Sequence, residues 1–88
     1  MMAQEPFEFS HNERTKRARW QLTQPLEMSA EFLLVNSLVG LRDSKEFEFF
    51  TFEDNVLDVQ FGNSHTKYHI TELLSTLHRA VMEAVEHA

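Results

Sequence analysis

The segment "FEFFTFEDNVLDVQFG" (residues 47–62) decides the predicted fold, because apolar and polar residues alternate on both sides of a turn. Asp54 and Asn55 stand between the two apolar runs, and such a pair suits a two-residue hairpin turn with positive φ. This turn fixes the register and predicts Phe52 opposite Leu57 on the inner face. The further predicted pairs are Phe50 with Val59 inside and Thr51 with Asp58 outside.

Two irregularities flank this hairpin. Phe47 and Phe49 have the wrong parity for the inner face, so a bulge near Phe49-Phe50 is predicted to turn both of them inward. After the hairpin, Gly62-Asn63 predicts a second turn of type II′, since glycine comes first. The chain would then return as another strand. Its predicted pairs are Val59 with Thr66 and Leu57 with Tyr68 inside, and Asp58 with Lys67 and Gln60 with His65 outside.

The rest of the chain supplies one clear strand and two helices. Residues 15–22, "TKRARWQL", alternate, which predicts a half-buried strand. Ser29 is predicted to cap a first helix that Gly40 ends. That segment is apolar nearly all round, which predicts a largely buried helix or, alternatively, a strand. Apolar residues at helical spacing over 70–86 predict the last helix, capped by Thr71. The inward residues are Ala18, Trp20 and Leu22 in the strand and Ile70, Leu73, Leu74, Leu77, Val81 and Val85 in the last helix.

These elements predict a two-layer α+β sandwich: an antiparallel sheet of about four strands with two helices on one face. The predicted order is strand, helix, three strands, helix. Residues 1–13 are expected to form a loose arm with a short edge strand at Phe7–Phe9, and residues 14–88 a single α+β domain.

Composition excludes several functions. The 88 residues contain no Cys, which rules out disulfides, zinc thiolates and thiol nucleophiles and favours a reducing compartment. The longest apolar run, "FLLV", is far shorter than the ~20 residues that span a membrane. We therefore expect a cytoplasmic protein that does not associate with membranes.

No arrangement of reactive side chains predicts an enzyme, a metal site or a cofactor. His65 and His69 would lie about 13 Å apart along the predicted strand, too far to share one metal ion. Ser64, His65 and Asp58 could be combined on paper, but no nucleophile elbow accompanies them. Two glycines in the chain are too few for a phosphate-binding loop.

Charge is uneven along the chain. Residues 14–19 carry +4, whereas the rest carries −10. The basic residues could bind phosphates while Trp20 stacks on a base, but the alternation points Trp20 inward, away from Arg17 and Arg19. Alternatively, Arg17 and Arg19 are solvated charges that pair with acidic neighbours such as Glu46 and Glu48. The basic candidate residues, called the basic strip, are Arg14, Lys16, Arg17 and Arg19.

An acidic surface offers a different candidate site. Glu46, Glu48 and Asp58 are predicted on adjacent strands, near Glu53 and Asp54. Carboxylates spaced like phosphates can occupy the basic channel of a nucleic-acid-processing enzyme. In its size, charge and hairpin "FTFEDNVLDVQFG", the chain resembles small acidic α+β inhibitors made by phages and mobile elements. This resemblance is one of class, covers about a dozen residues and implies a viral or mobile-element inhibitor.

The sequence therefore predicts a small non-enzymatic protein-binding module, an inhibitor or adaptor that uses the acidic residues together with the basic strip. The alternative is a nucleic-acid-binding regulator that uses the basic strand, and an enzyme is the third hypothesis. Leu74 and Met82 raise the further alternative of a homodimer through helix 70–87, if both lie outside the core-facing stripe.

Overall fold

A computed structural model of the chain describes residues 6–63 and 65–87. Its four strands form one antiparallel sheet in the order β1-β2-β4-β3, with both helices on one face. The predicted two-layer α+β class is confirmed, but the order along the chain is strand, strand, helix, strand, strand, helix. The elements are β1 Phe7–Asn12, β2 Arg17–Leu22, α1 Met28–Asp43, β3 Phe49–Glu53, β4 Val56–Gln60 and α2 Lys67–His87.

The central hairpin forms as predicted. Asp54 and Asn55 both have positive φ, 51° and 66°, and Phe52 lies opposite Leu57. The irregularity before β3 falls one residue earlier than predicted: the backbone N–H of Glu48 donates to the carbonyl of Gln60, the residue that Phe49 already faces. Phe47 is consequently buried, as predicted, whereas Phe49 is 44% exposed, contrary to the prediction. The other two predicted pairs, Phe50 with Val59 and Thr51 with Asp58, are also confirmed.

The predicted second hairpin is wrong. Residues 67–87 form one continuous helix, whose first turn is capped by the Thr66 hydroxyl oxygen accepting from the backbone N–H of His69 at 3.1 Å. The free edge of β4 is occupied by β2, which places Trp20 opposite Leu57. Pairing between strands distant in the chain leaves no local signal, so the turn residues at 62–63 were misleading. Thr71 lies inside the helix, where its hydroxyl donates to the Lys67 carbonyl.

Helix α1 differs from its prediction at both ends. Its N-cap residue is Glu27, with no side-chain cap hydrogen bond, and Ser29 lies inside the helix. Gly40 has no positive φ and the helix continues past it. The end is a Schellman motif, in which Lys45 has φ 63° and the N–H of Glu46 donates to the Leu41 carbonyl. A lysine at this position carries no helix-stop signal comparable to that of glycine.

The core lies between the sheet and the helices. Helix α2 contributes a continuous buried stripe, and Leu74 packs against the core as part of it. Helix α1 buries few residues, so the prediction that it is largely buried is wrong. Neither helix of the described residues has the length and apolar character needed to cross a membrane. The main buried residues are Ala18, Trp20, Leu22, Leu34, Leu38, Leu57, Val59, Phe61, Leu77 and Val81.

Candidate interaction surface

The sheet surface opposite the helices, called the outer face below, is polar and carries part of the predicted site. Successive side chains of a strand point to opposite faces, so inward Ala18 and Trp20 leave Arg17 and Arg19 pointing outward. The strand registers align the outward residues into three rows across the four strands. The rows are Glu8, Gln21, Val56 and Glu53; Ser10, Arg19, Asp58 and Thr51; and Asn12, Arg17, Gln60 and Phe49.

Charges of both signs meet at the centre of this face. The Arg19 Nε lies 3.8 Å from a carboxylate oxygen of Asp58, and the two side chains are 56% and 31% exposed. An ion pair this exposed contributes about 0–1 kcal/mol to folding. In the next row the Arg17 Nε donates to the Gln60 Oε1 at 3.2 Å. Both guanidinium groups therefore have a neighbour within the sheet while remaining accessible to a partner.

The hairpin loop between β1 and β2 holds the remaining basic residues. The Asn12 Oδ1 accepts hydrogen bonds from the backbone N–H groups of Arg14 and Thr15, at 2.9 and 3.1 Å. Gln60 donates to the carbonyls of Thr15 and Lys16, which ties the loop to β4. Arg14 is exposed in this turn, but the Lys16 ammonium group donates to the carbonyls of Asn63 and His65. The basic strip is thus divided: Lys16 supports the loop before α2, and the three arginines remain exposed.

The predicted acidic set is not brought together. Asp58 contacts Arg19 on the outer face, whereas a carboxylate oxygen of Glu46 lies 3.3 Å from the His69 Nε2 on α2. Glu48 is exposed in the bend before β3. The expectation that Glu46 and Glu48 face Arg17 and Arg19 is therefore wrong. The cause is the end of α1, which leaves residues 46–48 as a bend instead of an extension of β3.

The histidines also differ from the prediction. The rings of His65 and His69 are 4.6 Å apart, because His65 lies just before α2 and His69 in its first turn, and not along one strand. His69 and Glu46 form a histidine–carboxylate contact that no sequence motif indicated. Within residues 6–63 and 65–87, no group of three or more potential ligands could hold a metal ion, and no Ser or Thr hydroxyl bonds to an imidazole. Ser64 lies outside the described residues.

His78 forms a second contact that the sequence analysis missed. Its Nδ1 accepts a hydrogen bond of 2.9 Å from the indole N–H of Trp20, and its ring packs against Phe7 and Phe9. Burial lowers the pKa of His78. The imidazole is neutral in this arrangement, since an accepting Nδ1 carries no proton. A buried tryptophan needs a hydrogen-bond acceptor for its N–H. In the sequence, the position of His78 next to the predicted core residue Leu77 was the feature that could have indicated this acceptor.

The described polar residues thus combine a mixed-charge sheet surface with two separate histidine contacts, one between His69 and Glu46 and one between His78 and Trp20. No protein-family model matches the chain, and neither the curated proteins nor the solved structures compared with it give a match. The function is therefore inferred from the chemistry of the surface itself.

Proposed function

We propose that the chain is a non-enzymatic protein-binding module, an inhibitor or adaptor whose partner contacts the outer face. The observation that carries the proposal is the position of both helices on the other side of the sheet. One side of an antiparallel sheet can remain solvated without any function, so the support for a binding surface comes from the types of side chain on it. Arg17, Arg19 and the 44% exposed Phe49 belong to the residue types that protein interfaces favour.

The mixture of charges suggests the kind of partner. Arg19 and Asp58 are neighbours of opposite charge in the central row, and the acidic residues Glu8 and Glu53 lie in the row beside it. A partner with a complementary pattern would be selected mainly through electrostatic fit and would associate more slowly at high salt. The surface is not a continuous acidic run, so the version in which carboxylates imitate nucleic-acid phosphates is less well supported than a contact of mixed charge.

Nucleic-acid binding is the second candidate. It is favoured by a shallow depression where Arg17 and Arg19 lie together with Ser10 and Asn12. Against it, Trp20 is fully buried and bonded to His78, so no base can stack on it. Asp58 also lines the depression, and its carboxylate would repel a phosphate.

The experiment compares two variants of equal charge change. The Arg17→Glu/Arg19→Glu variant, called the double variant, alters the outer face. Its matched control, Lys67→Glu/Arg79→Glu, makes the same change in charge at two exposed basic residues of α2. A partner captured from the native cell by the unmodified chain should be retained by the control and lost by the double variant. The purified partner should then show at least about tenfold weaker binding to the double variant.

Two results would contradict the proposal. One is equal capture of the partner by the double variant and the unmodified chain. The other is equal loss with both variants, which would indicate a nonspecific charge effect. Titration of a labelled oligonucleotide at low salt tests the second candidate, and binding that Arg17→Glu/Arg19→Glu abolishes would favour nucleic acid over protein.

A further inference from the structure

Helix α1 carries an apolar stripe that does not face the core. Met28, Phe32, Val35 and Val39 follow a spacing of four, three and four residues, and we call them the α1 seam. Met28 is 85% and Phe32 is 66% exposed. The two valines are half-buried but do not belong to the residues packed on the core. At about 100° per residue, the seam lies roughly 130° around the helix from the centre of its buried residues. Those buried residues are Ala30, Leu34 and Leu38.

We propose that a second copy of this chain covers the α1 seam. Alternating steps of three and four residues are the spacing by which two helices interlock side chains along a common seam. When the same patch serves both copies, the contact closes as a two-fold dimer and does not continue into a fibre. Four seam residues are few compared with the 20–30 residues per side of a stable interface, so we expect a dissociation constant between about 1 µM and 1 mM.

The charges at the ends of the helix favour a second copy in antiparallel orientation. Glu27 and Glu31 lie at the beginning of α1, and Arg42 and Lys45 lie at its end on either side of the acidic Asp43. Antiparallel packing places the acidic beginning of one copy near the two cations of the other, whereas parallel packing places the two acidic beginnings together. Arg42 is 3.8 Å from the neighbouring Asp43, but its side chain is exposed enough to meet a second carboxylate.

This dimer differs from the one predicted through helix 70–87. That dimer required both Leu74 and Met82 to lie outside the core-facing stripe. Leu74 packs against the core, whereas Met82 is half-buried and does not belong to the residues packed on it, so only one of the two meets the requirement. An α1 dimer would join helix layer to helix layer and leave the outer faces of both copies uncovered. If the proposed function holds, the dimer is bivalent and gains avidity for a partner that presents two copies of its own site.

Sedimentation equilibrium over a concentration series tests the dimer. The unmodified chain should dimerise, and Phe32→Lys should raise the dissociation constant at least about 100-fold, since a two-fold interface is altered twice. The matched control is Leu33→Lys, an exposed leucine one residue away that lines the groove between the helices and lies outside the seam. Its dissociation constant should stay within about threefold of that of the unmodified chain.

A chain that is monomeric at about 1 mM would overturn the proposal, as would equal weakening by both substitutions. Circular dichroism shows whether each variant is folded. Partner capture by monomeric Phe32→Lys should persist, because the outer face is unchanged, so failure of the dimer is distinguishable from failure of the proposed function.

The orientation has its own test. Glu31→Lys and Arg42→Glu should each weaken the dimer, and the two substitutions combined should restore it, because the exchanged charges again meet their opposites. Failure of the combined variant to recover any affinity would overturn the antiparallel arrangement.

Discussion

The hydrogen bond between Trp20 and His78 joins the sheet to α2, and its removal should have a measurable cost. The perturbation is His78→Phe, which keeps an aromatic ring against Phe7 and Phe9 but removes the acceptor. The indole N–H lies on a fully buried residue, so no solvent molecule readily replaces the lost partner. A buried donor left without an acceptor costs about 1–3 kcal/mol, and the gain from a more apolar ring offsets part of this. We expect a net loss of about 1–2 kcal/mol in the free energy of unfolding.

The same contact makes stability depend on pH. Burial lowers the pKa of His78 in the folded chain, whereas the unfolded chain has the ordinary value of about 6.5. Below that value the unfolded chain binds the proton and the folded chain resists it, so stability falls as the pH decreases from about 6.5. Above it, the contribution of His78 is fully present. The slope for one proton cannot exceed about 1.4 kcal/mol per pH unit, and partial solvent exposure keeps it lower.

The assay is urea unfolding followed by circular dichroism at about pH 7.5 and pH 5, on a double-mutant cycle of Trp20→Phe and His78→Phe. In the Trp20→Phe background no indole donor is left unpaired, so His78→Phe should cost about 1 kcal/mol less than in the unmodified chain. His78→Phe should also reduce the difference in the free energy of unfolding between the two pH values. A coupling energy of zero, or an unchanged pH dependence after His78→Phe, would refute the reasoning.

Two further predictions concern helix ends. Lys45→Gly should stabilise the chain by about 0.5–1 kcal/mol, because glycine adopts the positive φ at this position without strain. Ser44→Gly, at a φ of −81°, should give no such gain. Urea unfolding of both variants compares their free energies of unfolding. Thr66→Ala should lower the free energy of unfolding by about 1 kcal/mol, because it removes the N-cap of α2, and Thr71→Ala should lower it little. Thermal unfolding compares the two variants. Similar losses of stability from both would mean that the cap contributes nothing.

Local patterns predicted the fold well where contacts are local. The hairpin around Asp54-Asn55 was predicted pair by pair, since a two-residue turn and alternating side chains fix the register. The inward and outward sides of β2 were predicted for the same reason. The segment after Gly62 was mistaken for a strand because a short run of mixed residues suits either structure until its neighbours are known. What decided it was β2, which pairs with β4 across some forty residues of chain.

The candidate site could be predicted only in part. Alternation showed that Arg17 and Arg19 point away from the core, and the structure agrees. Their neighbours could not be predicted, because the contact between Arg19 and Asp58 depends on the register of β2 against β4. The contact of Trp20 with His78 likewise requires a strand and a helix 58 residues apart to pack together.

The alternation of β2 also determines how cleanly the proposed function can be tested. Inward Trp20 holds the core and α2 together, whereas outward Arg19 is more than half exposed and pairs with Asp58. Replacing Arg19 therefore removes at most about 1 kcal/mol of folding free energy, too little to unfold a domain stable by about 5 kcal/mol or more. A partner that binds the outer face would lose a desolvated arginine contact, which costs considerably more than an exposed ion pair. Loss of binding with stability retained would thus point to the surface and not to the fold.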